Sequence, residues 1–100
     1  MVIAFLTVTP LGTGTPSLSS YVADCVKVIE ESNVKHTLTP MGSILEGSLE
    51  DILETVRIVH NIPFKKGVQR VSTRLVIDDR RDRDASAEEK VESVQAKLGE

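Results

Sequence analysis

The 100-residue sequence carries 12 basic and 15 acidic side chains, for a net charge of −3, and is 40% hydrophobic and 27% charged. That is chain enough for a single domain, 1–100, with one core, and the slight acidity argues against the basic face of a nucleic-acid binder. The lone cysteine, Cys25, excludes an internal disulfide and a cysteine-held iron–sulfur cluster or zinc knot, and no apolar run is long enough to cross a bilayer.

Met1 leads straight into a strand without a basic flank, so no signal peptide is expected and the default location is the cytoplasm. Val2 to Thr9 reads as the first strand. Val2, Ala4, Leu6 and Val8 face one way, and Ile3, Phe5, Thr7 and Thr9 the other. Bulk apolar residues on both faces predict a strand covered on both sides. The loop Pro10 to Pro16 holds Gly12-Thr13-Gly14 but has Ser17 where a dinucleotide fingerprint needs its third glycine, so that motif is rejected.

Helical spacing of Leu18, Tyr21, Val22, Cys25, Val28 and Ile29 predicts a first helix over about Ser17 to Glu31. Thr15 or Ser17 is its expected cap and Asn33 its left-handed stop. Cys25 lies on the buried stripe and reads as a core thiol. Strand formers then mark Val34 to Thr39 and Ser43 to Glu46, joined by Pro40-Met41-Gly42, with Gly42 expected to supply any positive φ the turn needs. Glu46 is the unusual residue there, a carboxylate among apolar strand positions.

Ser48, with Asp51 three residues on, caps a second helix from Leu49 to about Ile62, which Pro63 is expected to disrupt before Gly67 ends the region. Arg70 to Ile77 alternates as a fourth strand. The run Asp78 to Asp84 nearly cancels in charge and reads either as a solvated turn or as an ion-pair network between subunits, with Arg80 and Arg81 its candidate interface residues. Ser86 and Glu89 form a second capping box. The following helix shows only a narrow stripe of Val91, Val94 and Leu98, too little to stand without a docking partner. His36 and His60 are isolated, so no metal site is expected.

The order β-α-β-β-α-β plus a terminal helix predicts a ferredoxin-like α+β sandwich with antiparallel strand order 4-1-3-2. Its helices cover one sheet face. The other face, carrying Ile3, Phe5 and Val76, is expected to associate with another copy, as a dimer of dimers.

Pro10-Leu11-Gly12-Thr13-Gly14, Ser20-Tyr21-Val22, Pro40-Met41-Gly42-Ser43 with Glu46-Gly47, Gly67-x-x-Arg70-Val71, and Asp78-Asp79-Arg80-Arg81 followed by Lys90-Val91 occur in one order and spacing. Together they resemble the small thiamine-binding-protein family over nearly the whole chain. The resemblance implies a ferredoxin-like fold, dimers joined through their sheets and commonly tetramers, and binding of thiamine or its hydroxymethyl-pyrimidine part in some members. Ser43 stands where many members carry Thr, which keeps the hydroxyl.

On that basis a ligand site is expected at the edge of the open sheet face, where the Leu11–Gly14 loop meets the Met41–Gly47 stretch. Glu46, Ser43 and Thr13 would meet the polar edge of an aminopyrimidine. Met41, Leu11 and Tyr21 would cover its ring faces, with Gly12 and Gly42 allowing close approach. The expected function is therefore non-catalytic binding of a small molecule, with no cofactor. The alternative is a structural or regulatory homo-oligomer that takes another ligand or none. Neither nucleic acid nor membrane is an expected partner.

Overall fold

A computed structural model describes residues 1–99. Its elements are β1 (Val2–Leu11), α1 (Ser19–Glu30), β2 (Lys35–Thr39), β3 (Gly42–Gly47), α2 (Leu49–Lys65), β4 (Arg70–Asp79) and α3 (Ala87–Leu98). The strands form one antiparallel sheet in the order β2-β3-β1-β4, the expected order read from the opposite edge. This is the ferredoxin-like α+β sandwich.

Alternation in β1 sends Val2, Ala4 and Leu6 into the core, where they meet Cys25 and Ile29 of α1, Leu45 of β3, and Ile52 and Val59 of α2. Ile3, Phe5, Thr7 and Thr9 lie on the other face and are only half-buried. Val76, the register partner of Phe5, is 64% exposed. Both predicted capping boxes form: the Ser48 hydroxyl accepts from the Asp51 N–H at 3.1 Å, and that of Ser86 from the Glu89 N–H at 3.2 Å.

Four local expectations are corrected. Pro63 does not disrupt α2, which continues to Lys65. The proline ring is fully buried, so packing offsets the hydrogen bond its missing N–H would have made. Past Lys65 the chain turns back at Gly67, whose φ of +88° brings the next N–H, that of Val68, to the Pro63 carbonyl at 3.3 Å. Gly42 has no positive φ; it is already strand and is needed for space, because a Cβ there would lie 2.6 Å from Phe5 Cζ and 2.9 Å from the Leu6 carbonyl oxygen. α1 begins after Leu18 without a side-chain cap, since Thr15 and Ser17 close a turn before it, the Thr15 hydroxyl accepting from the Ser17 N–H at 3.3 Å. Asn33 is not left-handed; α1 ends through the Glu31 N–H on the Lys27 carbonyl.

Arg80 and Arg81 each pair within the chain, Arg80 with Asp82 at 2.5 Å and Arg81 with Asp79 at 2.8 Å. Arg80 thereby holds the Asp82 carboxyl down at about 2. Both pairs span two residues and are exposed, so each stabilises the fold little. α3 buries none of its residues. No helix among the described residues is long and apolar enough to cross a membrane.

Candidate functional site

β3 divides its polar residues between the two faces of the sheet. Ser43 pairs with Leu6, and Glu46 with Ile3. Leu6 points toward the helices and Ile3 away from them. Two residues three apart on a strand must face opposite sides, so Ser43 and Glu46 cannot serve one small ligand from the same face.

Glu46 is 4% exposed, and its Oε1 accepts from the Ala87 N–H at 2.7 Å, while Oε2 lies 3.8 Å from Lys35 Nζ. The carboxylate sits at the start of α3, where exposed N–H groups and the helix dipole favour negative charge. Around it Lys35 also reaches Glu88 at 3.5 Å, and Lys90 pairs with Asp78. Glu46 thus fastens α3 to the open sheet face, and its hydrogen bonding is met within the chain.

Ser43 lines a different space. A cavity of about 290 Å³ lies between α1 and the β2–β3 hairpin on the helix-covered side, with Leu18, Val22, Cys25, Met41, Gly42 and Ser43 in its walls. The hairpin wall is set by a two-residue connection, Pro40-Met41, which has no positive φ. Thr39 holds it: its hydroxyl donates to the Gly42 carbonyl at 2.8 Å and accepts from the Gly42 and Met41 N–H groups. That spends the Thr39 hydroxyl. Ser43, 8% exposed, meets His36 Nε2 at 2.9 Å. The Cys25 thiol is pushed up to about 11, chiefly by burial and further by Asp24, so it stays protonated and inert as a nucleophile.

The remaining expected site residues lie elsewhere. Leu11 and Gly12 line a separate hollow with Gly67 and Arg70. Register explains the separation: β1 pairs with β3 as far as Leu6↔Ser43 but continues along β4 to Leu11↔Arg70. Five strand residues put Leu11 about 17 Å beyond Ser43. The Thr13 hydroxyl donates to the Thr15 carbonyl at 2.9 Å. The Tyr21 ring faces Lys66, whose Nζ is 5.1 Å from its centroid. The structure therefore brings together Met41, Gly42 and Ser43, and leaves Leu11, Gly12, Thr13, Tyr21 and Glu46 outside that cavity.

Sequence reasoning missed the α1 residues Leu18 and Val22 as cavity walls and His36 as the partner of Ser43 behind the wall. The signal was present in the two-residue turn: pairing Thr39 with Gly42 fixes Leu38↔Ser43 and His36↔Leu45, which sets His36 diagonal to Ser43 on one face. A group of three or more metal-ligating side chains is absent among the described residues.

A family model described as thiamine-binding protein matches residues 4–95. The UPF0045 protein YqgV of Bacillus subtilis is 46% identical over 102 residues, covering 98% of both chains. A UPF0045 protein of Methanothermobacter thermautotrophicus is also 46% identical, over 98% of this chain and all of the relative. The crystal structure of the hypothetical protein MJ1052 of Methanocaldococcus jannaschii matches with a TM-score of 0.85 at 33% identity, covering 94% of this chain and 95% of that one.

Proposed function

The chain belongs to the thiamine-binding protein family, and from that premise we propose that the cavity between α1 and the β2–β3 hairpin binds thiamine or its hydroxymethyl-pyrimidine part without catalysing its conversion. The observation that carries this reading is a mostly apolar space with one buried hydroxyl, Ser43, whose partner is a side chain rather than the backbone. Apolar walls with a few placed polar groups are what a small heterocycle needs. Met41, 80% exposed at the hairpin tip, is free to fold over a ring face.

The cavity shares Val22, Val26 and Leu38 with an open groove along α1 that also carries Lys27 and Glu30. In this reading the pyrimidine enters the cavity and the thiazolium lies in the groove, near the Glu30 carboxylate. Binding rather than turnover is favoured because Cys25 stays protonated and His36 Nδ1 has no hydrogen-bond partner among the described residues to orient the ring for proton transfer. Calorimetric titration with thiamine tests the reading. Wild type should bind, and Ser43→Ala should bind roughly three- to tenfold more weakly, as for one lost hydrogen bond. Equal affinities would remove Ser43 from the site, and no heat from the wild type would reject thiamine.

A second reading, self-association, has its own observation. Val91, Val94 and Leu98 of α3 are 55%, 58% and 79% exposed, and Val76 adds apolar surface on the open sheet face. Surface of that kind is seldom left to water. We propose that a second copy covers it, giving dimers and then tetramers, in which case the locally paired Arg80 and Arg81 lie at a subunit contact. Light scattering should give about four chains per particle, and Val94→Glu should lower that number. A monomeric wild type would overturn this reading and leave the cavity reading standing.

A further inference from the structure

The cavity's one buried hydroxyl is governed by a neighbour that does not itself line the cavity. Ser43 Oγ lies 2.9 Å from His36 Nε2. A hydroxyl has one hydrogen to donate and lone pairs to accept with. If Nε2 is bare, Ser43 donates to it and shows the cavity only lone pairs. If Nε2 carries a proton, it donates to Ser43, and the Ser43 hydrogen turns toward the cavity. Thr39 offers no substitute, because its hydrogen is committed to the Gly42 carbonyl.

We propose that His36 is a positioning residue that sets the hydrogen-bonding polarity of Ser43: with Nε2 bare the site accepts a ligand N–H donor, such as a ring amine, and with Nε2 protonated it prefers a ligand acceptor. This deepens the thiamine reading and rests on it for the identity of the ligand. The geometry behind it is the burial of Ser43, its place in the cavity wall and its diagonal pairing with His36 across the hairpin.

The groups around the imidazole are few. α1 presents Glu30, whose charge favours the protonated ring, and β3 presents Ser43 and Leu45, which carry none. Lys35 of β2 projects to the opposite face, toward Glu46. Cys25, across the cavity, stays protonated. Burial outweighs Glu30 and holds His36 below its ordinary 6.5. The ring is therefore neutral at pH 7; in the proposed arrangement its one proton is on Nδ1, so that Nε2 accepts from Ser43, and the switch falls on the acid side.

Two measurements on the full chain decide the matter. Nitrogen-15 NMR of the ligand-free protein reads the imidazole directly. The expected result at pH 7 is a proton on Nδ1 and a bare Nε2, with the Nε2 resonance moving in Ser43→Ala. A protonated Nε2 at pH 7, or no response to Ser43→Ala, would overturn the proposal whatever the ligand proves to be.

The second measurement is calorimetry between about pH 5 and 8, with thiamine and with its analogue carrying a carbonyl in place of the ring amine. Wild-type affinity for thiamine should fall roughly three- to tenfold toward acid, while the carbonyl analogue changes in the opposite direction. In His36→Gln, whose amide oxygen can accept from Ser43 without titrating, thiamine affinity should no longer vary with pH. A slope that persists in His36→Gln would overturn the role of His36. A wild type that binds neither compound would reject the ligand reading, and the NMR result would still decide the His36–Ser43 arrangement.

Discussion

At one end of β3 the Ser43 hydroxyl opens onto a cavity and meets a single side chain, His36. Three residues later Glu46 is buried against the other face, and the backbone of α3 satisfies it. Both are polar residues of low exposure on one short strand, and in the sequence Glu46 looks the more functional of the two. In the structure Glu46 is paired within the chain, while Ser43 lines the cavity. A buried charge must be paired, and pairing inside the chain commits it to holding the fold. A buried hydroxyl is a smaller burden and retains a free valence for a ligand.

Leu45, between the two, faces the helices and is fully buried. Leu45→Ala should cost about 2–5 kcal/mol in urea denaturation. The loss should loosen the cavity wall and the α3 anchor together, because both depend on β3 holding its place. If hydrogen exchange then rises at only one of the two regions, they do not share the strand as their support.

Next in size is Gly42→Ala. The added Cβ would meet backbone as well as the Phe5 ring and Thr7, so the hairpin must shift. The expected cost is about 1–3 kcal/mol, read from the denaturation midpoint, with weakened thiamine binding because Gly42 lines the cavity. An unchanged midpoint would show that the hairpin gives way freely.

Glu46→Ala separates the regions. It should destabilise by about 1–3 kcal/mol, since it leaves the Ala87 N–H without its acceptor. Amide exchange should quicken across α3, from 87 to 98, while thiamine affinity stays at the wild-type value. A fall in affinity without faster exchange in α3 would return Glu46 to the ligand site and break the comparison.

The fold was legible because its determinants are local. Val2 to Thr9 is a run of strand formers, apolar on both faces, and Ser48 and Ser86 announce their helices with an acidic residue three positions on. Pro63 was misleading because its burial in the core, a tertiary fact, outweighs its local preference. The division of Ser43 from Glu46 could have been read from their odd spacing. The distance between Leu11 and Ser43 could not, because it depends on how far β1 outruns β3 along β4, and pairing length is set by the whole sheet. His36 was within reach only by counting pairs back from the Pro40-Met41 turn.

The most direct test of the central claim is a map of backbone amide shifts as thiamine is added to the labelled protein. The predicted result is a set of changes confined to Leu18, Val22, Cys25, His36 and Met41 to Ser43, with Glu46 and Ala87 unmoved. Changes centred on Glu46 and the start of α3, or on the Leu11–Gly14 loop, would contradict it.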